Sequence, residues 1–154
     1  MAVRMELSRI LIRELNDYQI IELREVVSDD AAEAAATTGD DDQPVLRTFP
    51  IVIGLPEAQA IERRLKGTTI KRPQTHDLLA SVISRLGGTL QSITISDLQE
   101  HTFFATLDVM HGGELCRIDS RPSDAIALGI AENVPIYVEE HVLASANEDG
   151  DVTP

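Results

Sequence analysis

Residues 123–133, SDAIALGIAEN, are apolar at Ala125, Ile126, Leu128, Gly129 and Ile130, positions that spread around nearly the whole circumference of a helix. Pro122 stands just before them, at a first helical position. A helix without a polar face has to be covered on almost every side, so this one is expected to be deeply buried. Its cover must come from the rest of a 154-residue chain, a length that suits one domain with one core and argues against two catalytic domains.

The remaining pattern supplies mostly strands. Residues 5–12 and 18–27 are rich in Leu and β-branched side chains and flank the turn-forming pair Asn16-Asp17, which predicts a hairpin. Residues 46–53, LRTFPIVI, predict a third strand ended by Gly54, with Pro50 at an edge or bulge. Pro56 and the run EAQAIERRL predict a short helix ending near Gly67. Thr75 reads as the cap of a second helix, HDLLASVISRLGG, with Asp77 in its first turn and Gly87-Gly88 as its stop. Further strands are predicted at 90–95 and 134–138, and a hairpin at 101–110 and 114–119 around His111-Gly112-Gly113. Three helices among about seven strands, joined by hairpins rather than by strict alternation, predict an α+β single domain with a mixed, largely antiparallel sheet.

Charge narrows the partners. The chain carries 13 Lys+Arg against 26 Asp+Glu, a net charge of -13 that repels polyanions at long range. Aromatic residues are only 3% and Trp is absent, so base-stacking platforms are scarce. The excess is local, however. Residues 28–44, SDDAAEAAATTGDDDQP, hold six acids and no large apolar side chain, and the segment from Asn147 onward adds three more. We read 28–44 as a flexible acidic insertion between strands, 1–143 as the domain, and 144–154 as a disordered polar tail. The body left over has 17 acids against 13 bases and shows a basic cluster of Arg63, Arg64, Lys66, Lys71 and Arg72, with Arg47 on the preceding strand. That cluster reads as a solvated helix end or as a phosphate contact. The aspartate run lacks the alternating ligands and closing Glu of a calcium loop.

Cys116 is the one cysteine, which rules out an intramolecular disulfide and any multi-cysteine zinc site. It reads as a small buried residue in mid-strand. Arg4, Glu6, Arg9, Arg13 and Glu14 interrupt the apolar residues of the first fifteen, unlike a signal peptide, and no run approaches the roughly 18 apolar residues of a membrane span. A soluble cytoplasmic protein with no membrane partner is expected.

Two segments concentrate reactive side chains at a helix start: Lys71-Arg72-Pro73-Gln74-Thr75-His76-Asp77 and Asp119-Ser120-Arg121-Pro122-Ser123-Asp124. In each, proline fixes the approach, the helix offers free backbone N–H groups, and an arginine stands just outside, a receptor for phosphate or carboxylate. Arg72, Thr75, Arg121 and Ser123 are the phosphate-binding candidates. His76 has the chemistry to take or give a proton, and Asp77, Asp119 and Asp124 have the oxygen ligands that Mg²⁺ or Mn²⁺ prefers. The same residues also read as plain caps, with Arg121 paired to Asp119 or Asp124. Asp97 and Glu100 read as solvated loop carboxylates, and His101 and His111 as strand-edge and turn residues. No Gly-x-Ser-x-Gly elbow supports serine hydrolysis, and Ser123 reads rather as a cap.

Four runs, FPIVIGLPEAQAI (49–61), RPQTHDLLASVISRLGG (72–88), ISDLQEHTFFATL (95–107) and IDSRPSDAIALGIAENVPIYVEEHVL (118–143), closely resemble the bifunctional nuclease domain family. The resemblance covers most of residues 46–143. It implies an α+β fold, self-association into a homo-oligomer, and an activity on RNA and DNA assisted by a divalent metal. The positions it marks are Arg72, Pro73, Thr75, His76, Asp77, Arg121, Pro122, Ser123 and Asp124.

The leading expectation is therefore a metal-assisted phosphodiesterase with nucleic acid as a transient substrate. His76, Asp77 and Asp124 are its catalytic residues, with Asp77, Asp119 and Asp124 on Mg²⁺ or Mn²⁺. The alternative is a non-catalytic oligomeric binding module with an anion or small-ligand pocket. The two differ in one spatial respect: whether the three aspartates converge or are taken up by caps and ion pairs.

Overall fold

The computed structural model describes residues 2–13, 15, 18–26 and 46–148. The Asn16-Asp17 turn, the 28–44 insertion and the tail beyond residue 148 lie outside the described residues.

Alternation builds the first layer. In β2 (Tyr18–Glu25), Gln19, Ile21 and Leu23 point inward, and in β3 (Thr48–Gly54), Phe49, Ile51 and Ile53 do the same. β2 pairs antiparallel with β3 and with β1 (Ala2–Leu11), so the expected hairpin forms. Pro50 is tolerated because β3 is the edge of the sheet. At the far end, β4 (Gly88–Gln99), β5 (Thr102–His111) and β6 (Glu114–Ser120) make an antiparallel meander. β4 runs well beyond the expected 90–95, because register shifts at Leu90/Ser92 and Ile95/Asp97 let it bend without losing its partner. The short β7 (Ile136–Glu139) joins the two groups, antiparallel to β1 and parallel to β4. The result is a seven-stranded mixed sheet in the order β3-β2-β1-β7-β4-β5-β6. It curls until Phe49 of β3 meets Phe103 of β5, ring centroids 5.5 Å apart.

Four helices complete the described chain. α1 (Leu55–Lys66) carries Pro56 in its first turn and ends at Gly67, whose φ of 61° is the left-handed cap. α2 (Thr75–Arg85) follows, then α3 (Pro122–Glu132). α3 is buried as its composition demands, from Pro122 and Ser123 through Ala125 to Gly129, lying between α1 and strands β4 and β5. Gly129 lets it approach β4, since a Cβ there would stand 3.4 Å from Ile93 Cγ2.

The fourth helix, α4 (Glu140–Glu148), corrects the expected count of three and the tail boundary, since residues 144–148 are helical. Its signal is short, but Val142 and Leu143 are fully buried, and Arg47 holds Glu140 at 2.5 Å while also bonding Glu25. A second correction concerns Cys116. β6 is an edge strand exposed along most of its length, so the thiol is exposed rather than buried. Among the described residues no helix is long and apolar enough to cross a membrane.

Candidate active site

The start of α2 and the start of α3 come together. His76, in the first turn of α2, lies with Nε2 2.8 Å from Asp124 Oδ1, in the first turn of α3. Arg121, the residue before α3, returns onto the same carboxylate, Nε to Oδ2 at 2.8 Å and Nη2 to Oδ1 at 3.1 Å. Its Nη1 reaches Glu57 of α1 at 3.2 Å. Arg121, Asp124, His76 and Glu57 therefore form one polar chain across three helix starts. Burial pushes the Asp124 carboxyl up, but the Arg121 and His76 hydrogen bonds outweigh it and hold the group below the usual aspartate range. The Asp124 carboxylate in turn raises the Arg121 guanidinium, with Glu57 adding to the effect.

Two cavities open on this chain. One, about 200 Å³, is lined by Pro56, Glu57, Arg63, Thr75, His76 and Arg121, among others. The other, about 310 Å³, runs along β3 to Glu57, His101, Arg121 and Ser123. Arg121 and Glu57 belong to both, so the cavities adjoin. Two further hollows flank α2. The first is lined by residues such as Ile83, Leu90 and Leu128 and gathers no comparable set of reactive groups. The second is lined by Arg64, Asp77, Arg85 and Glu132, charges partly spent on one another.

Asp77 and Asp119 go elsewhere. Gln74, not the expected Thr75, is the N-cap residue of α2, and its backbone N–H donates to Asp77 Oδ2 at 3.0 Å. Asp77 also takes Arg63 at 3.3 Å and Arg64, whose side chain is only 6% exposed and whose Nε donates to the Ala127 carbonyl at 2.6 Å. Asp119 sits exposed on β6, paired in register with Thr106. Among the described residues no three His, Cys, Asp or Glu side chains are placed to hold a metal ion. The expected Asp77, Asp119 and Asp124 set therefore does not assemble: arginines already neutralise two of its carboxylates and the third stands on an outer strand.

The phosphate-binding candidates divide. Arg121 and Ser123 line the larger cavity, and Thr75 lines the smaller. Arg121, not Ser123, is the N-cap residue of α3. Arg72 is exposed before α2 and borders neither cavity. The basic cluster is largely consumed inside the protein: Arg63 and Arg64 on Asp77, Lys66 on Glu62, Arg47 on Glu25 and Glu140. Asp97 accepts hydrogen bonds from Gln99 and from the backbone of its neighbour Leu98 and lines neither cavity. Glu57 was not singled out in the sequence. Its signal was there to be read, since it follows Pro56 in a first helical turn, as Asp124 follows Pro122.

Residues 40–150 match the model of the bifunctional nuclease domain family. Two uncharacterized proteins of Mycobacterium tuberculosis, from strains CDC 1551 / Oshkosh and ATCC 25618 / H37Rv, are similar as well. Each is 44% identical to this chain over 112 residues, which is 68% of this chain and 66% of the relative's own length.

Proposed function

Because the chain belongs to the bifunctional nuclease domain family, we propose that it cleaves phosphodiester bonds in RNA or DNA, at the junction of α1, α2 and α3. The observation that carries this reading is the His76–Asp124–Arg121 cluster, which unites two distant segments beside two cavities. Arg121 is the phosphate anchor. Its side chain is 63% exposed, and a phosphate oxygen competes with Glu57 for Nη1. Asp124 fixes the His76 ring through Nε2, so that Nδ1 is the nitrogen that moves a proton to or from the substrate. Ser123 and Thr75 line the walls where phosphate oxygens and sugar would lie, and Arg72 adds positive charge at the approach. Asp77 supports the site by tying α1 to α2. Among the described residues no set of side chains fits Mg²⁺ or Mn²⁺, and no step of this reading passes through one.

The test is cleavage of end-labelled RNA and DNA oligonucleotides by highly purified protein, with EDTA, Mg²⁺ or Mn²⁺, beside His76→Ala and Asp124→Asn. Loss of cleavage in both variants supports the assignment. Equal activity in wild type and both variants assigns the activity to a contaminant or to another site.

A second reading is favoured by the engagement of Asp77 and Asp124 in ion pairs: a non-catalytic module that holds an anion against Arg121. Retention of a phosphorylated ligand by the wild type, lost in Arg121→Ala, with no turnover of any oligonucleotide, would select it.

A further inference from the structure

We infer that His101 is a second proton-transfer residue of this site and that the RNA reaction uses the substrate's own 2′-hydroxyl as nucleophile. This rests on the phosphodiesterase reading above.

His101 reaches the cavity by an unusual backbone. β4 and β5 are joined by the two residues Glu100 and His101, between the paired Gln99 and Thr102. Their φ angles are 48° and 65°, both left-handed, the turn geometry for which Asn-Gly is the favoured sequence. Neither residue is glycine, so the chain holds two side chains in a conformation that L-residues disfavour. The base of the turn is anchored, because Phe103, two residues on, packs against Phe49 across the seam of the curled sheet. The outcome is an imidazole on the wall of the cavity that Glu57, Arg121 and Ser123 also line.

His76 borders the adjoining cavity, and Arg121 and Glu57 stand in both. Each of the two cavities that share the phosphate anchor is thus lined by one histidine. Two imidazoles in adjoining cavities that share one phosphate anchor suit transphosphorylation of RNA. As the 2′-oxygen bonds to phosphorus, its proton passes to His101. The bond from phosphorus to the 5′-oxygen breaks, and that oxygen takes a proton from Nδ1 of His76, whose Nε2–H is donated to Asp124. The products are a 2′,3′-cyclic phosphate and a 5′-hydroxyl. One histidine gains the proton the other gives up, so no co-reactant is consumed.

The experiment compares wild type, His101→Gly and His76→Ala on a labelled RNA oligonucleotide and its all-deoxy counterpart in EDTA, across pH, with wild type also assayed in Mg²⁺ and in Mn²⁺. Glycine suits a φ of 65°, so His101→Gly keeps the turn while removing the imidazole. The expected result is a cyclic-phosphate product from RNA and none from DNA. His101→Gly should lower the rate about 100-fold or more and lose the acidic limb of a bell-shaped pH profile, while His76→Ala loses the alkaline limb. Full RNA cleavage by His101→Gly, with His76→Ala inactive, overturns this inference and leaves the proposed function standing. Products without a cyclic phosphate, or DNA cleaved as fast as RNA, overturn it too. Cleavage by the wild type only when Mg²⁺ or Mn²⁺ replaces EDTA also overturns this inference, and absence of cleavage under all three conditions overturns the reading beneath it.

Discussion

His76 and Asp124 are 48 residues apart in the chain and share one hydrogen bond of 2.8 Å, the contact through which α2 and α3 present a common surface. Removing either partner has separable effects. His76→Ala is expected to lower oligonucleotide cleavage about 10²- to 10⁴-fold. Asp124→Asn leaves the ring its volume and loses its orienting charge, and should fall between that variant and wild type. Steady-state rates on labelled RNA, with circular dichroism to confirm folding, check both.

Acid should unmake the Asp124 contribution in a defined window. The folded carboxyl is held below its ordinary range, so its stabilisation is complete above the unfolded aspartate value of about 3.9 and is lost as pH falls through the lower folded value. Urea midpoints of wild type and Asp124→Asn should therefore differ at pH 6 and converge well below about pH 4. An equal gap at both ends would assign the stabilisation to something other than this charge.

Asp77 is expected to matter for stability more than for chemistry. It meets Arg63 and the nearly enclosed Arg64, so Asp77→Asn strands a buried guanidinium at a cost of about 3 kcal/mol. Thermal unfolding should show a clear fall in midpoint, and cleavage by the fraction that remains folded should stay near wild type.

Gly88 tests the packing beneath α2. A Cβ there would stand 3.0 Å from Val109 Cγ1 and 3.1 Å from the Ile83 carbonyl oxygen, and backbone cannot move aside cheaply. Gly88→Ala should destabilise by about 1–3 kcal/mol, read from denaturant unfolding.

Self-association is proposed through α2. None of its residues is buried, yet Leu78 and Val82 stand exposed one turn apart, and Leu86 just beyond is 72% exposed. The double variant Leu78→Glu, Val82→Glu should sediment as a smaller species than wild type. An unchanged sedimentation coefficient would place any interface elsewhere.

Much of this arrangement was legible in the chain. The apolar circumference of α3 announced its burial, Gly112-Gly113 announced the β5–β6 turn, and the two Arg-Pro segments announced their helix starts. What escaped depends on partners far away. α4 is held by Arg47 and by burial of Val142 and Leu143, and its own nine residues carry little periodicity. Asp77 looked as available as Asp124, because which carboxylate meets which arginine is set by how α1 packs on α2. Cys116 resembled a core residue because alternation within one strand does not reveal that the strand is an edge.

The position of β7 has a consequence for biosynthesis. Its four residues sit between β1 and β4, so the hairpin group at the amino end and the meander that follows share no strand until residues 136–139 arrive. A nascent chain emerging from the ribosome carries two open sheet edges until then, each a template for a stray partner. Chains stalled or truncated before Ile136 should be targets for chaperones rather than smaller, self-sufficient versions of the domain.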